Sequence, residues 1–121
     1  MTTPQDPAAQ QPTIPLTPEV RAAYQDLYNK YEAAIENTAD PVVLGTLNGS
    51  QSNVDDVLTK DSMYRLHADT ALFQALLKQI NATNAELKTL KAQISAIASH
   101  IAIAGDILAA INRVLTLIPG A

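Results

Sequence analysis

The sequence predicts an all-α protein, and three observations support this fold class. Hydrophobic residues make up 47% of the 121 residues but aromatic residues only 4%, so Ala, Leu and Ile supply the apolar content. Ala and Leu lose little side-chain freedom in a helix. The chain has only four glycines. Apolar residues also recur at spacings of three and four between Leu66 and Ile118. We therefore predict a long C-terminal heptad helix that packs against a shorter N-terminal helix, as a helical bundle or coiled-coil oligomer.

Residues 1–16 are polar and contain four prolines. Such a composition buries too little apolar surface to offset the entropy lost on ordering. We predict a disordered tail over 1–16 and a single helical domain over 17–121. The tail has no apolar run typical of a signal peptide. We therefore expect a cytoplasmic protein, and export without a cleaved signal stays open.

A first helix is predicted over residues 18–37. Thr17 is a suitable N-cap, Pro18 suits the first helical position, and Glu19 favours the positive end of the helix. Asp40 followed by Pro41 disfavours continuation of the helix beyond this region. The apolar stripe comprises Val20, Tyr24, Leu27, Tyr28, Tyr31, Ala34 and Ile35. We expect its three tyrosines to pack against the long helix, and a ligand pocket lined by them is the alternative.

Two short helices are predicted between the first helix and the long one. The first, over about 41–47, is capped by Asp40 and stops at Asn48 and Gly49. The second, over about 53–59, begins at Ser52, which forms a capping-box-like start with Asp55. Asp55 and its neighbour Asp56 are expected to favour the N-terminus of that helix. Residues 60–62 form the joint to the long helix.

The long helix is predicted over about 62–118, with Leu66 at heptad position a and Ile118 at position d. Residues 81–84 are weak helix formers, and Gly105 is a candidate break. Because the heptad register continues through both places, we predict one continuous helix. Asp69 and Thr83 are the polar residues at core positions. We expect them to set the register, with Asp69 where the seam begins to splay.

A continuous helix of this length would extend ~80 Å, whereas the first helix covers roughly 30 Å of it. The uncovered apolar surface predicts self-association. Near the C-terminus Leu occupies a positions and Ile occupies d positions, which favours a trimer or tetramer over a dimer. Another helical protein that covers the same apolar surface is the alternative predicted partner. The predicted oligomer interface is Leu87, Leu90, Ile94, Ile97, Ile101, Leu108, Ile111, Leu115 and Ile118.

The segment 94–118 raises an alternative, because 17 of its 25 residues are Ala, Val, Ile or Leu. This length suffices to cross a bilayer. However, His100, Asp106, Asn112 and Arg113 interrupt it, and charges at bilayer depth are costly. A buried bundle helix is the favoured interpretation. The alternative is a membrane-active protein, pore-forming or membrane-inserting, that uses this segment. A monomeric bundle with a small hydrophobic pocket is a third hypothesis, and it requires breaks in the long helix.

The sequence offers no pattern typical of an enzyme. It has no Cys, and its net charge is −4 without a basic cluster, so we expect no nucleic-acid partner. His67 and His100 have no second His or acid at a spacing of three or four, which a helical metal pair needs. We therefore expect no catalytic, cofactor-binding or metal-binding residues. The predicted function is a non-enzymatic, self-associating structural or adaptor module.

Overall fold

A computed structural model of the protein describes residues 13–96, 101 and 103–118. The described residues form four helices and no strand: α1 (Pro18–Asn37), α2 (Pro41–His67), α3 (Thr70–Ala96) and α4 (Ala104–Leu117). The prediction of an all-α helical bundle is therefore confirmed. Residues 1–12 of the predicted tail lie outside the described residues.

The helices pack in chain order, with α1 also against α4. Contacts between side chains show that α1 and α2 run antiparallel, since Arg21 pairs with Asp61 and Tyr31 with Ser50. The core is formed by apolar residues of all four helices. It includes Tyr24, Leu27, Tyr31, Leu47, Val54, Val57, Leu76, Ile80, Leu87, Ile94, Ile107, Ile111 and Val114.

The predicted first helix agrees with α1 at both ends. The side chain of Thr17 accepts a hydrogen bond from the backbone N–H of Val20 at 3.2 Å, as an N-cap should. The residues of the predicted apolar stripe are buried or partly buried, and Ala23 is buried beside them. Leu16, immediately before the cap, is only 2% exposed. The predicted tail therefore reaches too far, because its last residue belongs to the core.

The prediction of two short helices and a joint at residues 60–62 is wrong, since α2 is one helix of 27 residues. Asp40 caps it, as predicted, by accepting from Val42 and Val43. The helix continues through Asn48 and Gly49 because its inner side is buried along its length, and burial outweighs weak local propensity. Asp55 and Asp56 consequently lie in the interior of α2 rather than at an N-terminus.

The long continuous helix is also wrong, and the first break lies at Ala68 and Asp69. Ala68 has a φ of 48°, in the left-handed region, and its N–H donates to the carbonyl of Tyr64 at 2.7 Å. The Asp69 side chain accepts from the N–H of Leu72 at 2.8 Å. Ala68 thus ends α2 and Asp69 caps α3. Asp69 therefore caps a helix instead of setting the register of a seam.

The second break follows α3. Helix α3 is continuous through residues 81–84, as predicted, but it ends at Ala96, and α4 begins only at Ala104 after Ile103 with a φ of 52°. Gly105 lies in the first turn of α4. The separate helix buries its apolar side against α1 and α3 within the same chain. Helices of an antiparallel bundle need the same spacing of three and four as a long coiled coil, so the register persists across the turn.

The segment 94–118 is accordingly divided between the end of α3 and α4. Within residues 13–96, 101 and 103–118, no helix combines the length and the apolar character needed to cross a membrane.

Candidate functional site

A groove of about 460 Å³ lies between α2 and α3 and is open to solvent. Its lining comes from the first half of α2 and the second half of α3. The lining residues are Gly45, Thr46, Gly49, Ser50, Asn53, Ala85, Glu86, Thr89, Leu90 and Gln93. Buried Leu90 supplies apolar surface, and small or short polar residues form most of the remainder. We refer to this surface as the α2–α3 groove.

Gly45 and Gly49 lie one turn apart on α2, and both are exposed. A Cβ atom placed on either glycine would meet no atom of residues 13–96, 101 and 103–118 within 4 Å. Packing among these residues therefore does not require glycine at either position. Gly in a helix interior is nevertheless about 0.8–1.0 kcal/mol less favourable than Ala. The two glycines leave a strip of bare backbone that another main chain can approach closely.

A cluster at the opposite end of α2 centres on Asp61, whose side chain is fully buried. Its Oδ1 accepts from the N–H of Leu16 at 2.8 Å. Its Oδ2 accepts from Nη1 of Arg21 at 2.5 Å and from Nε of Arg65 at 2.9 Å. A buried carboxylate is tolerated because these partners neutralise it and satisfy its oxygens. The cluster fastens Leu16 and α1 to the end of α2.

Two of the tyrosines make buried hydrogen bonds. The hydroxyl of Tyr24 donates to Oδ1 of Asn84 at 2.7 Å, and the hydroxyl of Ser50 donates to that of Tyr31 at 2.7 Å. Burial raises the pKa of both phenols, and the hydrogen bond to each partly offsets this; for Tyr31 the charge of Glu86 adds to the rise. Tyr24 and Tyr31 fill the core between helices, which is a structural role.

Most of the nine residues predicted as an oligomer interface are buried or partly buried within one chain. Leu87, Leu90, Ile94, Ile101, Ile111 and Ile118 are buried, and Leu108 and Leu115 are partly buried against the core. Ile97 lies outside the described residues. The described residues of this interface are therefore covered within one chain, and their apolar character gives no evidence for an oligomer. Their role between chains stays a prediction.

The chain contains two histidines, and neither was predicted to bind a metal ion. His67 is exposed at the end of α2, and His100 lies outside the described residues. In the described part of the chain, no group of three or more His, Asp or Glu side chains is arranged to hold a metal ion.

Comparison of this chain with protein families, with curated proteins and with solved structures finds no match. Its function must therefore be argued from its own geometry. Two features of that geometry were missed by the sequence analysis. The four-residue spacing of Gly45 and Gly49 was a readable signal, but the predicted end of a helix at Asn48 concealed it. The cluster of Arg21 with Asp61 carries no such signal, because its members lie 40 residues apart.

Proposed function

We propose that the protein is a non-enzymatic interaction module that self-associates through the α2–α3 groove. The observation that carries this proposal is the pair of glycines at positions 45 and 49. They lower the helix propensity of α2, and no neighbour in the described part of the chain needs the space that they leave. A second backbone packed on this strip would use that space.

The occupant that fits best is a second copy of this chain. Across the groove from Gly45 and Gly49, α3 carries exposed Ala85 and Thr89 at a spacing of four. Small side chains at this spacing form a narrow ridge along one face of a helix. A second copy brings the same ridge and the same strip, so the two faces are self-complementary. One face used by both copies gives a two-fold contact that closes at two chains.

The interface proposed here differs from the one predicted from the heptad pattern. The earlier preference for a trimer or tetramer rested on Leu and Ile positions of the C-terminal segment, which now lie in or against the core of a single chain. A contact through the outer faces of α2 and α3 leaves that core unchanged. We therefore expect a reversible dimer of folded chains.

The decisive experiment replaces both glycines, as Gly45→Ala with Gly49→Ala. Folding stability, measured by urea unfolding of dilute monomer, should rise by about 1–2 kcal/mol in total, because Ala is the better helix former. The dimer dissociation constant, measured by analytical ultracentrifugation, should rise at least tenfold because two methyl groups fill the strip. A purely structural role for the glycines would not give these opposite changes.

Matched arginine substitutions provide the control. Ala85→Arg places a long charged side chain in the groove, and Ala22→Arg makes the same change at an exposed position of α1. The first variant should be monomeric, and the second should dimerise like the wild type. A wild-type chain that stays monomeric at high concentration would refute the proposal, as would dimerisation unaffected by Ala85→Arg.

A second candidate is a membrane-active protein that uses α4. Its support is that α4 contains only two charged residues, Asp106 and Arg113, and follows Ile103, whose left-handed backbone is costly for a β-branched residue. At 14 residues α4 spans about 21 Å, less than the roughly 30 Å of a hydrocarbon core. The helix would therefore lie along the membrane interface.

Flotation with vesicles of uncharged phospholipid tests this candidate. The wild type should float with the vesicles, and Ile103→Gly should float less, because relief of the backbone strain favours α4 within the bundle. Protein that stays at the bottom of the gradient with every vesicle composition would eliminate the membrane role.

A further inference from the structure

A second open pocket, of about 520 Å³, lies at the end of the bundle where α1 begins and α2 ends. It is lined by Pro18, Arg21, Ser62, Arg65 and Leu66. The α2–α3 groove is formed by the other end of α2, so the two surfaces do not overlap. We call this second surface the arginine pocket.

The arginine pocket carries a local excess of positive charge on a chain whose net charge is −4. Two guanidinium groups share one carboxylate, because Asp61 pairs with both Arg21 and Arg65. The carboxylate is fully buried, whereas the two arginine side chains are 38% and 42% exposed. The negative charge therefore lies inside the protein and the positive charge borders the pocket. The start of α1 and the end of α2 contribute helix-dipole charges of opposite sign, which largely cancel.

Each arginine keeps hydrogen-bond donors for a ligand. Nη1 of Arg21 donates to Asp61 and to the carbonyl of Leu58, and its Nη2 donates to the hydroxyl of Ser62. Nε of Arg65 donates to Asp61, and its Nη2 donates to the carbonyl of Leu16. A guanidinium has five N–H groups. Within the part of the chain that the structure describes, Nε of Arg21 and Nη1 of Arg65 have no acceptor.

Ser62 adds a third donor. Its oxygen accepts from Arg21, so its hydroxyl hydrogen can be given to another acceptor. Glu19 is the nearest acid along α1, but it lies two residues from Arg21 and so about 200° around the helix. Its carboxylate therefore does not border the same side of α1.

We propose that the arginine pocket binds a phosphate group. Guanidinium groups bind phosphate oxygens through strong, charge-assisted hydrogen bonds. A phosphate presents its oxygens in several directions around the phosphorus and carries more negative charge at pH 7 than a carboxylate. It can therefore accept from the free groups of both arginines and of Ser62 at once, whereas the oxygens of a carboxylate lie in one plane. Because buried Asp61 already orients both guanidinium groups, little side-chain freedom remains to be lost on binding. The rim residue Leu66 is 79% exposed and can contact an apolar group attached to the phosphate.

The test titrates inorganic phosphate into the full chain at low ionic strength, followed by NMR shifts of backbone amides. We expect saturable shifts centred on residues around Arg21 and Arg65. Arg65→Gln should weaken binding at least tenfold, while Arg113→Gln, an equivalent change on the exposed side of α4, should leave it unchanged. Ser62→Ala should weaken binding two- to threefold, and acetate should bind more weakly than phosphate.

A conservative variant guards against loss of the fold. Arg65→Lys keeps the positive charge but loses the planar donor pattern, so it should bind phosphate more weakly than the wild type while its circular dichroism is unchanged. Absence of saturable phosphate binding would overturn the proposal. Equal binding by the wild type, Arg65→Gln and Arg65→Lys would overturn it too.

Two further arms identify the source of the phosphate. Glycerol phosphate represents a free phosphate monoester, and vesicles containing phosphatidic acid represent a lipid headgroup. Binding to glycerol phosphate alone indicates a soluble ligand. Vesicle binding that is lost in Arg65→Gln indicates a lipid. These outcomes do not depend on the dimer, since Ala85→Arg should bind phosphate as the wild type does.

Discussion

The substitution Ala68→Gly tests the break between α2 and α3 directly. Ala68 is exposed and has a φ of 48°, a conformation that costs a non-glycine residue roughly 1–2 kcal/mol. Glycine relieves this strain but adds about 0.4–1 kcal/mol of flexibility to the unfolded chain. The difference predicts that Ala68→Gly raises the free energy of unfolding by about 0.5–1 kcal/mol.

A continuous helix through this position predicts the opposite sign. Ala68 would then be an interior helical residue, and glycine would lower stability by about 0.8–1.0 kcal/mol. Asp69→Ala extends the test. It removes the cap that accepts from Leu72, so in the broken helix it should cost about 1 kcal/mol. In a continuous heptad helix, the same change would place an apolar residue at a core position and increase stability.

Urea unfolding followed by far-ultraviolet circular dichroism measures both effects. With a slope of about 1–3 kcal/mol/M, a change of 1 kcal/mol shifts the midpoint by roughly 0.3–1 M. Ala22→Gly, at an exposed interior position of α1, is the matched control and should lower the midpoint. If Ala68→Gly lowers the midpoint as Ala22→Gly does, the turn at Ala68 and the two separate helices are incorrect.

Three other predictions concern buried polar groups. Asp61→Asn should lower the free energy of unfolding by about 2–3 kcal/mol, because it weakens bonds to two arginines; a change below about 0.5 kcal/mol in thermal or urea unfolding would contradict this. Tyr24→Phe and Asn84→Leu should each lower the free energy of unfolding by about 1–3 kcal/mol. The double variant should lose clearly less than the sum, since neither member of the Tyr24–Asn84 hydrogen bond is then left without the other. Additive losses in this double-mutant cycle would argue against the hydrogen bond. The pKa values of Tyr24 and Tyr31 are raised in the folded chain, so folding favours their protonated forms, and the free energy of unfolding should be unaffected below about pH 10 and fall above it by up to about 1.4 kcal/mol per pH unit for each tyrosine. Tyr31→Phe should roughly halve this slope when urea unfolding is repeated at increasing alkaline pH. A slope equal to that of the wild type would contradict the burial of Tyr31.

Local signals were reliable wherever a helix boundary depends on adjacent residues. Thr17 with Pro18 marked the start of α1, and Asp40 with Pro41 marked both the end of α1 and the cap of α2. The starts of α1 and α2 are each set by a side chain that accepts from the backbone two or three residues later. The end of α1 precedes Pro41, which disfavours a helical residue before it. The same reasoning failed at Asn48 and Gly49, because the cost of weak helix formers is only about 1 kcal/mol each, and burial of the inner side of α2 exceeds it.

The candidate sites were less predictable than the fold class. Thr83, the other polar residue at a predicted core position, is buried at 1% exposure. Burial of its hydroxyl is tolerated because this group accepts a hydrogen bond from the Gln79 side chain and donates one to the carbonyl of Asn53. By contrast, Asp61 was placed only in the predicted joint over residues 60–62, and no role was predicted for Arg21. Their pairing depends on how α1 packs against α2, which no local pattern specifies.

By itself, the sequence determined the helical class, the position of α1 and most of the apolar stripe that faces inward between Leu76 and Ile118. Leu66, the predicted start of that stripe, is exposed. The tertiary structure decided where that stripe is cut. A spacing of three and four serves equally for one long helix that needs a partner chain and for successive helices that cover each other. The choice depends on whether turns at Ala68 and before Ala104 cost less than leaving the apolar sides of α3 and α4 in water. Here burial against α1 and α2 outweighs the strain of two left-handed residues.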